Sequence, residues 1–356
     1  MTSPLVPARA AVIGIGLIGG SIAAALRANG WHVSGTDNDP LRAKRALELG
    51  VIDQIAEDPR AKITFVAVPV GSIAASVEAA LARGGVVTDV GSVKAPIVSA
   101  ISNPRFVGGH PMAGSEAIGV EGARADLFQG ATWVLTPTSS TDPDAHALVH
   151  SVVRSLGAEV LTLDPENHDR LVATVSHVPH LAAASLMGLA ADRAVEHSAL
   201  LRLAAGGFRD MTRIASGDPT MWIDICADNR DAILEVIDEL TSKLSEMRDI
   251  VARGAGDDLL ERLSAAQDAR RSLPTGVPEV DELAEVSVPI PDKPGELAAV
   301  TSLATQISAN VYDIEVVHNA GETGGRLLLV VDAARAEDLA TELRASGRSV
   351  TVRDVV

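Results

Sequence analysis

The chain has 356 residues, a formal net charge of −17 and 47% hydrophobic residues, with aromatics at only 2%. So acidic a chain repels nucleic acid and anionic membranes, and any anionic ligand needs local Arg, Lys or His to hold it. The single cysteine, Cys226, excludes an internal disulfide and points to a reducing, cytoplasmic setting.

The length implies two or three domains, with cores built from Ala, Val, Leu and Ile. Residues 10–26 follow Arg9 and superficially resemble a secretory leader, but their spaced glycines read better as strand, turn and helix. No run reaches the ~18 apolar residues of a membrane span without a glycine interruption.

In chain order, the periodicity predicts strands over 11–15, 32–36, 63–68 and 86–90. Helices are predicted over 18–28, 41–49, 73–81 and 93–101, and further strands over 132–136 and 158–163 around a helix at 144–156. This alternation implies a doubly wound α/β domain over 1–163, with a parallel sheet covered by helices on both faces. From 164 to 272 the chain is Ala- and Leu-rich with helical periodicity, including 229–251 and 257–271, and reads as an all-helical domain whose long helices pack together or against a second subunit. Residues 273–283 form a Pro- and Gly-bearing linker. Strands at 284–290, 311–318, 326–331 and 350–355, with helices at 295–307 and 336–346, give a ferredoxin-like β-α-β-β-α-β domain over 284–356.

Gly14-Ile15-Gly16-Leu17-Ile18-Gly19 follows a predicted strand and opens a predicted helix. Gly14 permits the tight turn, Gly16 close approach of a pyrophosphate, and Gly19 close helix–strand packing. The phosphates then meet the helix N-terminus at Leu17 and Ile18. Asp37 stands 18 residues beyond Gly19, where a carboxylate takes both ribose hydroxyls and repels a 2′-phosphate; the cofactor expected is NAD.

Other polar residues stand out against the apolar background. Ser92 lies just past the strand placed fourth in the sheet, where α/β sheets bind ligands; its bland alternative is a helix N-cap. His110 follows two glycines and precedes Pro111, which favours an extended loop and a projecting ring suited to general base work. Ser115 and Glu116 flank it. His177 and His180 are close together, but with no third ligand at suitable spacing and no HExxH pattern, no metal site is expected. Arg213 offers a guanidinium fork to a carboxylate, or else pairs with Asp210. Trp222 walls a cleft or fills a helix contact.

The stretches GIGLIGGS, DVGSVK, GGHPMAGSE, SHVPH and GGFRDMTRIASGDPTMW run in order from residue 14 to 222 and together resemble the prephenate dehydrogenase family. The resemblance implies NAD-dependent oxidative decarboxylation of prephenate to 4-hydroxyphenylpyruvate in tyrosine biosynthesis, by a homodimer. It implies His110 as the base on the C4 hydroxyl, Ser92 as the group orienting it, and Arg213 as the carboxylate clamp. It also implies His180, His177, Ser115 and Glu116 in the substrate pocket, with Trp222 at its entrance. Residues 292–297, DKPGEL, resemble the strand-to-helix loop of the ACT domain, which implies a tyrosine effector at Asp292 and Gly295.

Three alternatives stand beside this reading. One is arogenate dehydrogenase: uncharged Val120 favours the keto side chain of prephenate, while Glu121 beside it leaves the choice open. Another is a 3-hydroxyacid dehydrogenase, disfavoured because residues 164–220 contain no Lys. The third is a non-catalytic NAD-binding regulator.

Overall fold

The computed structural model describes residues 8–114, 117, 119–196, 200–217, 219–272, 283–291, 293, 295–307, 309–318 and 324–354. The chain divides into two compact units at Gly254.

The first unit opens with β1 (Arg9–Ile13), α1 (Leu17–Ala28), β2 (His32–Thr36), α2 (Pro40–Glu48), β3 (Gln54–Ile55) and β4 (Ile63–Val66). It continues with α3 (Ile73–Arg83), β5 (Val86–Asp89), α4 (Ala95–Ala100), β6 (Phe106–Pro111), β7 (Thr132–Thr136), α5 (Pro143–Ser155) and β8 (Glu159–Thr162). The strands make one sheet in the order β3-β2-β1-β4-β5-β6-β7-β8. Every residue of β4 is buried, as a central parallel strand covered on both faces requires. Val12, Ile22, Leu26, Phe65 and Trp133 fill one cluster, and Ile73, Val77, Val87 and Phe106 fill another.

The sheet is not wholly parallel. All pairs from β3 to β6 are parallel, but β7 runs antiparallel to β6, and β8 lies parallel to β7. Among the described residues, the connection from β6 to β7 contains only a short 3-10 turn, Val120–Gly122. A parallel crossover usually carries a helix. β6 itself is not predicted by the sequence pattern, because two glycines and a proline argue against a strand. Here the glycines answer to crowding: a Cβ on Gly108 would sit 2.3 Å from Thr136 Oγ1, and one on Gly109 2.7 Å from Asp89 O. His110 therefore lies on a strand, paired with Val134, and not on a loop. The two-residue β3 is too short to read from periodicity, so the strand before Ser92 is fifth, not fourth.

Helices complete the unit. α6 (Pro165–Val172) passes through a π-helical turn, Ala173–His177, into α7 (Val178–Glu196). Among the described residues, Pro165–Val195 is the one helix long and apolar enough to cross a membrane by length and composition. It is also the helix that carries His168, Asp169 and His177. α8 (Gly206–Thr212), α9 (Thr220–Asp228) and α10 (Arg230–Arg253) follow. Leu189, Val195, Met221, Ile223, Leu244 and Val251 leave much of their side chains exposed on α7, α9 and α10.

The second unit begins with α11 (Gly256–Arg271), which the sequence pattern assigns to the helical domain. Residues 273–282 of the expected linker lie outside the described residues. Then come β9 (Leu283–Pro291), α12 (Glu296–Gln306), β10 (Val311–His318), β11 (Gly324–Asp332), α13 (Ala333–Ala345) and β12 (Thr351–Asp354). The strands form an antiparallel sheet in the order β10-β11-β9-β12. Val286, Val288, Leu327 and Leu329 pack on Val300, Leu339 and Leu343 of the two helices.

Candidate active site

A cavity of about 830 Å³ opens at the C-terminal ends of β1, β2, β4, β5 and β6. The three fingerprint glycines divide their duties along its edge. Gly14 has φ +86°, a conformation L side chains rarely adopt, and its Cβ would strike Ala67 O at 2.2 Å. A Cβ on Gly19 would lie 1.9 Å from Gly14 O, so helix and loop touch there. Gly16 meets nothing within 4 Å, leaving open space where a pyrophosphate would approach the backbone. Gly16 caps α1 without a side-chain hydrogen bond, so the first-turn amides, including Leu17 and Ile18, remain available to an anion.

Asp37 Oδ2 accepts from Ile15 N at 2.7 Å and Oδ1 from Asp39 N at 2.9 Å, tying the end of β2 to the glycine loop. Arg42 lies 3.3 Å from the same carboxylate. The cavity shape, the open Gly16 edge and the carboxylate at its far end fit a dinucleotide.

Ser92 and His110 line the same cavity from the ends of β5 and β6. Ser92 is not a helix cap: the residue before α4 is Lys94, with no side-chain cap bond of its own. The cap comes from another helix, where Asp169 of α6 accepts from Lys94 N at 2.7 Å and Ala95 N at 2.8 Å. The resemblance assigns the orientation of His110 to Ser92. The structure gives the hydrogen bond to His168: His110 Nδ1 stands 2.9 Å from His168 Nε2, and His168 Nδ1 stands 2.7 Å from Asp169 Oδ1.

That chain has one polarity for neutral rings. A carboxylate only accepts, so His168 Nδ1 donates to Asp169 and its Nε2 accepts. His110 Nδ1 must then donate, which leaves a lone pair on His110 Nε2. Burial, with His168, Lys94 and His177 nearby, holds the His110 pKa well below the ordinary 6.5, so the ring is neutral and able to take a proton.

Asn229, just before α10, links this chain to the second histidine pair. Its Nδ2 donates to Asp169 O at 2.9 Å and to His177 Nδ1 at 3.1 Å. His177 lies in the π-helical turn, a feature frequent at functional sites. Burial lowers its pKa from 6.5 to about 4. Trp222 meets His177 edge-on, with ring centroids 6.0 Å apart, and stacks on His180 at 3.7 Å. Arg213 begins the exposed 3-10 turn Arg213–Ser216, and a Cβ on Gly217 beyond it would lie 3.7 Å from His180 Cε1.

His110, His177, His180 and Trp222 are thus joined in one chain of contacts through His168, Asp169 and Asn229, but not all border the cavity; its lining from the helical part is Met221, Asp224 and Ile225. Ser115, Glu116 and Asp292 lie outside the described residues. Gly295 has φ +93° at the start of α12. Val120 packs into the core, where Gly20 would carry a Cβ 3.4 Å from it, and Glu121 pairs with Arg45 of α2 at 3.4 Å. Neither residue lines the cavity, so their placement does not support a choice between keto and amino side chains. Sequence reasoning missed His168, Asp169, Lys94, Asp89 and Asn229. Two signals were visible: Asp89 and Lys94 bound the DVGSVK stretch, and His168 and Asp169 are adjacent near the start of the helical region. Among the described residues, no group of three or more His, Cys, Asp or Glu is placed to hold a metal ion.

Comparison with known proteins agrees with this geometry. Residues 22–162 match the nucleotide-binding domain of prephenate dehydrogenase, and residues 164–265 its dimerization domain. The chain is 35% identical over 332 residues to a prephenate dehydrogenase of Bacillus subtilis, covering 88% of this chain and 89% of that one. The crystal structure of prephenate dehydrogenase from A. aeolicus with hydroxyphenyl propionate and NAD+ is similar at 33% identity and a TM-score of 0.70, covering 75% of this chain and 99% of that one. Synechocystis arogenate dehydrogenase is similar at 32% identity and a TM-score of 0.65, covering 74% of this chain and 98% of that one. With both of its first domains matched, and a glycine cradle and a buried histidine at one cavity, the chain belongs to the prephenate dehydrogenase family.

Proposed function

We propose that this NAD-dependent dehydrogenase converts prephenate to 4-hydroxyphenylpyruvate, with His110 as the base. The observation that carries the roles is the His110–His168–Asp169 chain, ending in a free lone pair on His110 Nε2. NAD+ held by Gly14, Gly16, Leu17, Ile18, Gly19 and Asp37 supplies a hydride acceptor. His110 takes the C4 hydroxyl proton as the C4 hydride leaves. The C1–carboxylate bond then breaks, its electrons enter the ring, and CO₂ departs. The proton returns to the phenolate oxygen, so atoms and electrons balance.

Aromatisation drives the second half, and the chain needs only to hold a dianion. Arg213, His180 and His177 are the groups proposed to do so, with Ser115 and Glu116 as further polar residues of the pocket and Trp222 fixing His180 by stacking. Ser92 contributes a hydroxyl between base and cofactor. The exposed apolar side chains of α7, α9 and α10 support a homodimer, since patches of that kind mark interaction sites. A cytoplasmic location follows from the reaction class and the lone Cys226. The β-α-β-β-α-β order of the second unit and the Gly295 turn support an ACT-like domain taking tyrosine as effector.

Likeness to an arogenate dehydrogenase structure keeps one second reading, an amino side chain in place of the ketone. Ultraviolet detection of NADH with each substrate, with and without tyrosine, tests both. Faster turnover of arogenate would replace prephenate as the substrate, and insensitivity to tyrosine would remove the effector.

A further inference from the structure

Two buried charges have no part in the reaction as derived. Asp89 and Lys94 are both at 0% exposure and bonded to each other. Taking two charges out of water is costly, and apolar side chains of similar volume are often as stable or more so. Stability alone does not account for the pair, but its bonds suggest a role.

Asp89 is the last residue of β5. Its Oδ1 accepts from Gly109 N at 3.1 Å and its Oδ2 from Gly91 N at 2.9 Å. Those glycines immediately precede His110 and Ser92, the two site residues contributed by the sheet. Lys94 N donates to Asp169 Oδ1, the oxygen that also takes the His168 Nδ1 bond. One end of the pair thus grips the backbone before the base, and the other is tied to the carboxylate behind it.

We infer that the Asp89–Lys94 pair is the positioning element of this site, holding Ser92 and His110 in register at the ends of β5 and β6 and setting a fixed cation beside the base. The inference rests on His110 being that base. The titratable groups around His110 are His168 and Asp169 of α6, His177 of the π turn, and Asp89 and Lys94 between β5 and α4. The ammonium disfavours a second positive charge on the His110 ring and so keeps the ring neutral before substrate arrives.

Lys94→Met tests the cation, and the neutral pair Asp89→Asn with Lys94→Met keeps shape while removing both charges. Each full-length variant is titrated with NAD+, assayed for turnover, and labelled on histidine for an NMR pH titration of the His110 ring without substrate. NAD+ affinity is expected within about twofold, kcat lower by about tenfold or more, and the His110 midpoint higher. An unmoved His110 midpoint overturns the inference. So does a kcat loss that only tracks lost NAD+-binding protein, or failure of both variants to fold, which makes the pair a stability element. The ring titration needs no turnover, so it is separate from the base assignment, which intact turnover of His110→Asn would reject.

Discussion

His168 Nε2 accepts from His110 Nδ1 across 2.9 Å, a contact between the end of a strand and a helix 58 residues further along the chain. It fixes the tautomer of His110 and leaves the lone pair on Nε2. Asp169 completes the relay, and both partners are nearly inaccessible to water. When His110 takes a proton, the charge is shared along a path that ends in a carboxylate.

Replacing His110 by Asn is expected to lower kcat by about 10²–10⁴, the usual contribution of a general base. The NAD+ dissociation constant should stay near that of the parent, because the glycine loop and Asp37 are untouched. Stopped-flow turnover with parallel NAD+ titration checks this, and a parental kcat would remove His110 from the mechanism.

His168→Phe keeps the ring volume but leaves His110 Nδ1–H without its acceptor. A smaller loss follows, up to about 10² in kcat, the lower end of the general-base range. Asp169→Asn should act in the same direction and also loosen the start of α4, which Asp169 caps. If the two variants differ in thermal stability but not in kcat, the relay has only a structural role.

Protonation of His177 is coupled to stability. Its pKa falls from 6.5 to about 4 on folding. Between those values the unfolded chain binds a proton that the folded chain refuses, so stability rises with pH across that window and is lost as pH falls from 6.5 toward 4. The slope is about 1.4 kcal/mol per pH unit for one fully shifted group. Urea unfolding at several pH values should show it, with a flatter slope in His177→Leu. That variant should also be less stable at pH 7, because Asn229 loses an acceptor.

Arg213→Ala is expected to raise KM for prephenate by about tenfold or more while changing kcat less, since a charged hydrogen bond to a carboxylate contributes roughly 1.5–3 kcal/mol. Steady-state kinetics over a wide substrate range checks it. A parental KM would assign the carboxylate to another group, with His180 the nearest candidate from its place beside the same turn.

The glycine loop, Asp37 and the alternation of strands and helices were legible in the sequence because they are local. A turn that needs φ +86° at Gly14, or a strand buried on both faces, leaves its mark within a few residues. His110, Ser92 and Arg213 were legible through motifs. What joins them was not: His168, Asp169, Asn229 and the Asp89–Lys94 pair meet only when β5, β6, α4 and α6 pack together. β6 was hidden for a related reason. Its Gly108, Gly109 and Pro111 look like loop residues in one dimension, and only close packing against Thr136 and Asp89 shows why a strand there must go without side chains. The antiparallel pairing of β6 and β7 is likewise a direction that periodicity does not encode. Local chemistry could be read along the chain, but the tautomer and charge of His110 depend on contacts between residues far apart in sequence, which form only in the folded protein.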